Sequence, residues 1–426
     1  MQRGVKLASM LFALFFMSVA CGNPSEAPSS SSLQAKIAAA QAAEDLDEVA
    51  ALVARARARI GDQAGIPEST GPGYLIPDVP TPSTQQARAA FAPLAREIQR
   101  QRWWQIGEDP RQNTKLPRDV ASVIVGSVAA YRAGCEERDR SLQLARDAAD
   151  YLLWTQQQAE VGLIPFPAST AGEGKVFEMA RQAVRQIERE GTADQYLRNG
   201  WFIEDHTLDA GGLQIDNALG GVALIELYRV TQDQKYLAGA LQAAEWAIPR
   251  PCVPNWNYNA FSVELLAEAY RETGRPAFLE AAKQKMAIGV LPGQLTDGPH
   301  AGRWYDPHNA RPNYHYILVR ALVRYISVLE ENDPTREPAL VALRRALPAR
   351  NGNYLAGGPV PNVASTLDAL LVMERLLEDS TQIVGDFQQH AVIDTLARIP
   401  IARFRQNQMP VAPGVWGRLL EYWINQ

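Results

Sequence analysis

The sequence predicts an all-helical (α/α)6 toroid, on three observations. A helix that is apolar nearly all round is followed again and again by an amphipathic one. Short turns join the two members of each pair, whereas long connections join successive pairs. Strand-like alternation is scarce along the 426 residues.

Taken in chain order, residues 1–20 carry Arg3 and Lys6 and then an apolar run from Leu7 to Ala20, which is short for a bilayer span and suits the core of a signal peptide. Val19-Ala20-Cys21 resembles the end of a bacterial lipobox, with Ser18 where leucine is usual, so Cys21 is the expected lipidation site. Residues 21–32 form a Pro- and Ser-rich tether. Gly22 is not the aspartate associated with inner-membrane retention. The expected location is therefore the outer membrane, facing the periplasm or the cell surface, with the membrane reached through the lipid anchor.

Residues 33–426 are expected to form one toroid domain. The first pair is read as Leu33 to Ile60 with Gln85 to Trp104, and the second as Val120 to Ala133 with Arg138 to Gln158. Ala218 to Val230, "ALGGVALIELYRV", has only Glu226 and Arg229 charged, as a helix buried on most sides should. It turns at Thr231-Gln-Asp233 into the amphipathic stretch Gln234 to Ile248. Asn259 to Thr273 turns at Gly274-Arg275 into Pro276 to Ile288, with proline in the first helical turn. Tyr314 to Glu330 precedes Glu337 to Leu347, and Val363 to Glu378 precedes Thr381 to Ala397. Asn217, Asn259, Asn313 and Asn362 open the later inner helices, where capping explains them. Their spacings of 42, 54 and 49 residues are too uneven for a regular open solenoid and favour a closed ring.

Leu213 to Ile248, "LQIDNALGGVALIELYRVTQDQKYLAGALQAAEWAI", resembles a hairpin of the six-hairpin glycosidase-like superfamily and of the related helical-toroid polysaccharide lyases, in its DNA…LY…TxDxKYLxxAxxAAxW pattern. The likeness covers this hairpin in sequence and the others by architecture. It implies a carbohydrate substrate.

The long connections lie together at one end of such a ring: Ala159 to Asp216, Pro249 to Tyr258, Gly289 to Pro312, and Pro348 to Pro361. They carry Trp201, His206, Trp256, Tyr258, Trp304, Tyr305 and His308. "WYDPHNARPNYHY", Trp304 to Tyr316, alone holds two of the five histidines. Aromatic rings beside Asp, Asn, Arg and His suit an oligosaccharide or polysaccharide, whose C–H faces stack and whose hydroxyls bond polar groups. Asp216 and Asp306 are the expected pair of carboxylates for glycoside hydrolysis, with Glu204, Asp205 and Asp209 in reserve. Arg311, Tyr314 and His315 instead supply residue types that a uronate lyase or epimerase needs. A non-catalytic glycan- or protein-binding lipoprotein is the third reading.

No cofactor is expected. His300, His308, His315 and Asp306 are spaced unlike any tight metal motif, and no metal is expected either. Glu264 and Glu268 read as ion-pair partners of their own helix end. The net charge of -5 gives no basic footprint for nucleic acid. Cys135 and Cys252 are too few and too far apart to make a disulfide framework. The oligomeric state is left open.

Overall fold

The computed structural model describes residues 36–37, 39–41, 43–49, 51–52, 73–205, 211–305, 308–361, 363–377 and 380–426. Cys21, the leader and the tether lie outside the described residues, as do His206, Asp209, Asp306 and Asn362. Among the described residues no helix is long and apolar enough to cross a membrane.

In chain order the principal elements are α1 (Thr84–Ala89), α2 (Ala92–Gln101), α3 (Pro117–Arg132), α4 (Arg138–Ala159), β1 (Phe166–Pro167), α5 (Lys175–Glu190), α6 (Ala193–Tyr196), β2 (Leu197–Arg198) and β3 (Trp201–Phe202). After these come α7 (Leu213–Thr231), α8 (Gln234–Ala247), α9 (Trp256–Thr273), α10 (Pro276–Gly289), α11 (Pro312–Ile326), α12 (Arg336–Leu355), α13 (Ala364–Leu376), α14 (Ser380–Val384), α15 (Gln389–Arg405) and α16 (Pro413–Asn425). Proline occupies the first turn of α3, α10, α11 and α16, where no helical N–H partner is lost.

Six helices close an inner ring, each packed on the next: α3 on α7, α7 on α9, α9 on α11, α11 on α13, α13 on α16, and α16 back on α3. Outside them α4 backs α3, α8 backs α7, α10 backs α9, α12 backs α11, α15 lies against α13, and α1 lies against α16. The fold is thus an (α/α)6 toroid.

Its sixth inner helix differs from the expected one. None of the described residues of 33–60 and 85–104 stands in the inner ring. The position belongs to α16, and its outer neighbour comes from the other end of the chain. Closure brings backbone against backbone: a Cβ on Gly126 of α3 would stand 2.1 Å from the Pro413 carbonyl oxygen, and one on Gly417 of α16 would stand 2.3 Å from that of Gly126. Only glycine allows that approach. The Trp416 indole N–H, donating to the Ala90 carbonyl at 3.3 Å, ties α16 to the segment joining α1 and α2.

Two boundaries also differ. The connection from α4 to α7 folds as an insert, with the amphipathic α5 and a miniature antiparallel sheet of order β1-β3-β2 around its own core of Leu163, Phe166, Phe177, Ile187 and Phe202. α12 runs through Pro348 to Leu355, eight residues beyond its expected end at Leu347.

Asn217 and Asn259, near the starts of α7 and α9, are clamps, not caps. Asn217 accepts from the Ile164 N–H at 3.0 Å and donates to the Ala243 carbonyl of α8 at 2.9 Å. Asn259 accepts from Val253 N–H at 2.9 Å and donates to the Gly289 carbonyl of α10 at 2.9 Å. The bonds to Ala243 and Gly289 fix each inner helix to the end of its outer partner, at about 1 kcal/mol net apiece.

The lower axis of the ring is filled with charge. α3 contributes Arg132, α7 Glu226 and Arg229, α9 Glu264 and Glu268, α11 Arg320 and Arg324, α13 Asp368 and Arg375, and α16 Arg418 and Glu421. Glu264 and Glu268 therefore reach across to Arg320 and Arg324, in addition to the 4.0 Å approach of Glu268 to Arg271 on its own helix. Buried pairs of this kind gain little over well-packed apolar residues, but removing one member strands the other in low dielectric at about 3–5 kcal/mol.

Candidate active site at the mouth of the ring

The N-terminal ends of the inner helices, with the long connections that enter them, form the end of the ring opposite the charged plug. Arg118 stands in the first turn of α3 and Asp216 in the first turns of α7. The Arg118 backbone N–H and Nε both donate to Asp216 Oδ1 at 2.9 Å, and Nη2 donates to Oδ2. Asp216 is 0% exposed. Expected as an acid or base, it is placed here with both oxygens engaged, and the group it presents is the Arg118 guanidinium, which lies over the Phe166 ring at 5.8 Å.

Asp205, one of the reserve carboxylates, leaves β3 and accepts from the backbone N–H of Leu213 at 3.1 Å, at the first residue of α7. Burial pushes its carboxyl up to about 6, against the pull of the Leu213 and Gly211 amides. Glu204 beside it is ion-paired with Arg250 and about half exposed. Tyr258, half-buried in the first turn of α9, lies close enough to Arg118 to feel its charge. One turn further along α9, Ser262 donates to the side-chain oxygen of Gln214 at 2.5 Å.

α9 also faces the other way. Asn257 donates from its backbone N–H and from Nδ2 to Asn309 Oδ1, at 3.2 and 2.9 Å, and from Nδ2 to Asn255 Oδ1 at 2.6 Å. This network fixes which end of each amide points where. It leaves Asn257 Oδ1 and Asn309 Nδ2 buried without partners. Beside Asn309, His308 stacks on Tyr314 with ring centres 3.8 Å apart. Burial pushes the Tyr314 phenol up to about 12, opposed by the Arg311 charge, so it remains a proton donor at neutral pH. Arg311, half-buried at the start of α11, has Nε and Nη1 without a hydrogen-bond partner. The first turn of α9 therefore joins two clusters, one of Tyr258 with Arg118 and Asp216, the other around Asn309, His308, Arg311 and Tyr314.

Several residues expected to touch substrate are placed in the core. Trp201, Trp256 and Trp304 are each 0% exposed. Trp304 donates to the Val290 carbonyl at 2.9 Å, Trp256 packs edge-on to Tyr305 with centroids 5.7 Å apart, and Trp201 packs edge-on to Trp154 at 6.0 Å. Tyr305 is 6% exposed. Their loops fold back under the mouth, so the indoles build its wall and present no face to a sugar.

His315 departs furthest from its expected role. It is 0% exposed, its Nε2–H donates to the Ala346 carbonyl of α12 at 2.9 Å, and its ring meets Trp304 and Tyr316 edge-on. It clamps inner helix to outer helix as Asn217 and Asn259 do. Burial, with Arg350 adding to it, lowers its pKa to about 3, so it stays neutral and moves no proton near pH 7.

Among the described residues, no three His, Cys, Asp or Glu side chains are placed to hold a metal ion. Cys135 and Cys252 are unbridged.

No family model matches the chain, and no curated protein matches it. Among solved structures, a polysaccharide lyase aligns over 80% of this chain and 95% of its own, at 12% identity and a TM-score of 0.47. A glycosyl hydrolase of family 88 from Bacteroides vulgatus aligns over 80% of this chain and 98% of its own, at 12% identity and a TM-score of 0.46. The toroid itself rests on the helix packing described above.

Proposed function

We propose that the chain is a carbohydrate-active protein that works at the mouth of its helical ring, as a glycoside hydrolase acting on an oligosaccharide. The observation that carries this reading is Asp205, a carboxyl pushed up to about 6 where it accepts from the backbone N–H of Leu213 at the start of α7. Hydrolysis needs a carboxylic acid still protonated near neutral pH and a second carboxylate. Asp205 gives its proton to the leaving glycosidic oxygen. The second carboxylate, for which Asp306 remains the choice, attacks the anomeric carbon or takes a proton from the water that does. Asp216 acts through Arg118 by holding the guanidinium toward the substrate.

A second reading is favoured by one observation, the unpartnered Nε and Nη1 of Arg311 beside Tyr314 and His308. Those N–H groups suit a uronate carboxylate, and the Tyr314 phenol suits protonation of a leaving oxygen in a lyase or epimerase. Export and anchoring through a lipid on Cys21 complete the proposal; intact mass of the protein from membranes, with and without Cys21→Ala, tests the anchor.

The deciding experiment incubates the purified protein with neutral and uronic polysaccharides and reads reducing ends together with ultraviolet absorbance. Reducing ends without absorbance, abolished by Asp205→Asn, support the hydrolase. Absorbance from an unsaturated uronate, lost in Tyr314→Phe, supports the lyase. Saturable glycan binding with neither product means recognition without turnover.

A further inference from the structure

The charged plug lies away from the mouth, and its charges do not balance. Among the described residues it and its rim hold seven arginines, with Arg229 and Arg271 among them, against six carboxylates, with Glu272 joining the others. The excess gathers around Glu226. That carboxylate receives Arg132 at 2.8 Å and Arg375 at 2.7 Å, and has Arg418 at 3.8 Å and Arg324 at 4.0 Å. Arg132 shares Glu421, Arg324 shares Glu268, and Arg418 shares Asp368. Among the described residues Arg375 pairs with Glu226, while Glu268 and Glu421 act on it from farther off.

Two donors point to what completes the arrangement. Among the described residues Arg375 Nε and Arg418 Nε are buried without a hydrogen-bond partner, and Arg418 as a whole is only 6% exposed. A buried cationic N–H with no acceptor is costly. Burial, aggravated by Arg375 and Arg324, pulls the Arg418 guanidinium below its usual range despite Asp368 and Glu226. The acceptor has to be small, because the carboxylates already occupy the forked faces of these guanidiniums. It also has a route inward from the closed end, where the Arg132 and Arg375 side chains are each 24% exposed.

We propose that the plug binds one small monovalent inorganic anion, of the chloride class, between Arg375 and Arg418 beside Glu226. The ion adds the missing negative charge and accepts the two Nε–H groups, so that closure of the inner ring at α13 and α16 is linked to halide concentration. The proposal is independent of the chemistry at the mouth.

Two measurements on the full protein test it. Crystals grown with sodium bromide should show a single anomalous peak on the ring axis at Arg375 and Arg418. Thermal unfolding at constant ionic strength, with chloride exchanged for gluconate, should show a saturable rise in Tm of about 3 °C at 100 times the dissociation constant. Arg375→Gln should make the two salts equivalent. General screening affects both salts alike. No bromide peak at the plug, with superimposed chloride and gluconate curves, overturns the proposal.

Discussion

The two ends of the axis are built by the same six helices and treat polar atoms in opposite ways. Below, charges from all six are crowded into mutual contact, with Glu226 serving four arginines. Above, the polar groups are mostly neutral or singly paired, and Asn257 Oδ1, Asn309 Nδ2 and Arg311 Nε are left without partners. Charge locked among helices serves assembly. Unspent hydrogen-bonding capacity on long connections is what the proposed recognition at the mouth draws on. Burial by itself therefore marks no active site in this protein, whose deeply buried carboxylates are found at both ends, Asp216 at the mouth and Glu226 and Glu268 in the plug.

That contrast can be broken at either end. The largest effect is expected at the plug: Glu226→Ala strands several guanidiniums and should lower unfolding free energy by about 3–5 kcal/mol in chemical denaturation. If stability were unchanged, the plug would not be what holds the ring. At the mouth, Asp205→Asn should leave the denaturation midpoint nearly untouched and lower kcat by about 100-fold to 10,000-fold. In the unaltered protein, kcat/KM should fall as pH rises past about 6, because the acid loses its proton there. A pH profile flat through that region would remove Asp205 from the chemistry.

A smaller effect sharpens the boundary between the two ends. The folded pKa of His315 lies below its unfolded value, so the unfolded chain binds the extra proton between about pH 6.5 and 3. Stability should fall with acidification across that window, by up to about 1.4 kcal/mol per pH unit from this group. His315→Asn, which imports the clamp residue of the sister hairpins, should flatten that slope while leaving substrate turnover at neutral pH in place. An unchanged slope would mean that the imidazole is not held neutral.

The alternation of inner and outer helices was legible because a helix buried on all sides and one buried on a stripe have different patterns. Arg320 and Arg324, four apart within the apolar run "HYILVRALVRY", also carried a local sign of the plug. The sixth inner helix was not legible, since α16 has no amphipathic partner after it and finds one before α3. The link between Arg118 and Asp216, 98 positions apart, leaves no trace in spacing. Trp201, Trp256 and Trp304 looked like contact residues because they lie on the long connections at one end of the ring. Connections this long fold back into the core, and sequence alone does not separate an indole that lines a wall from one that meets a ligand. The clamp role of His315 was hidden because the sister positions hold asparagine, a different chemistry making the same bond to an outer-helix carbonyl.

The glycine contact between Gly126 and Gly417 also sets an order of events during biosynthesis. Helix α3 emerges from the ribosome nearly 300 residues before its neighbour α16, so every nascent chain carries an open arc with the faces of α3 and α13 uncovered until α16 is made. Chains stalled before Pro413 should be recognised by chaperones and proteases as incomplete, whatever the state of the five hairpins already in place.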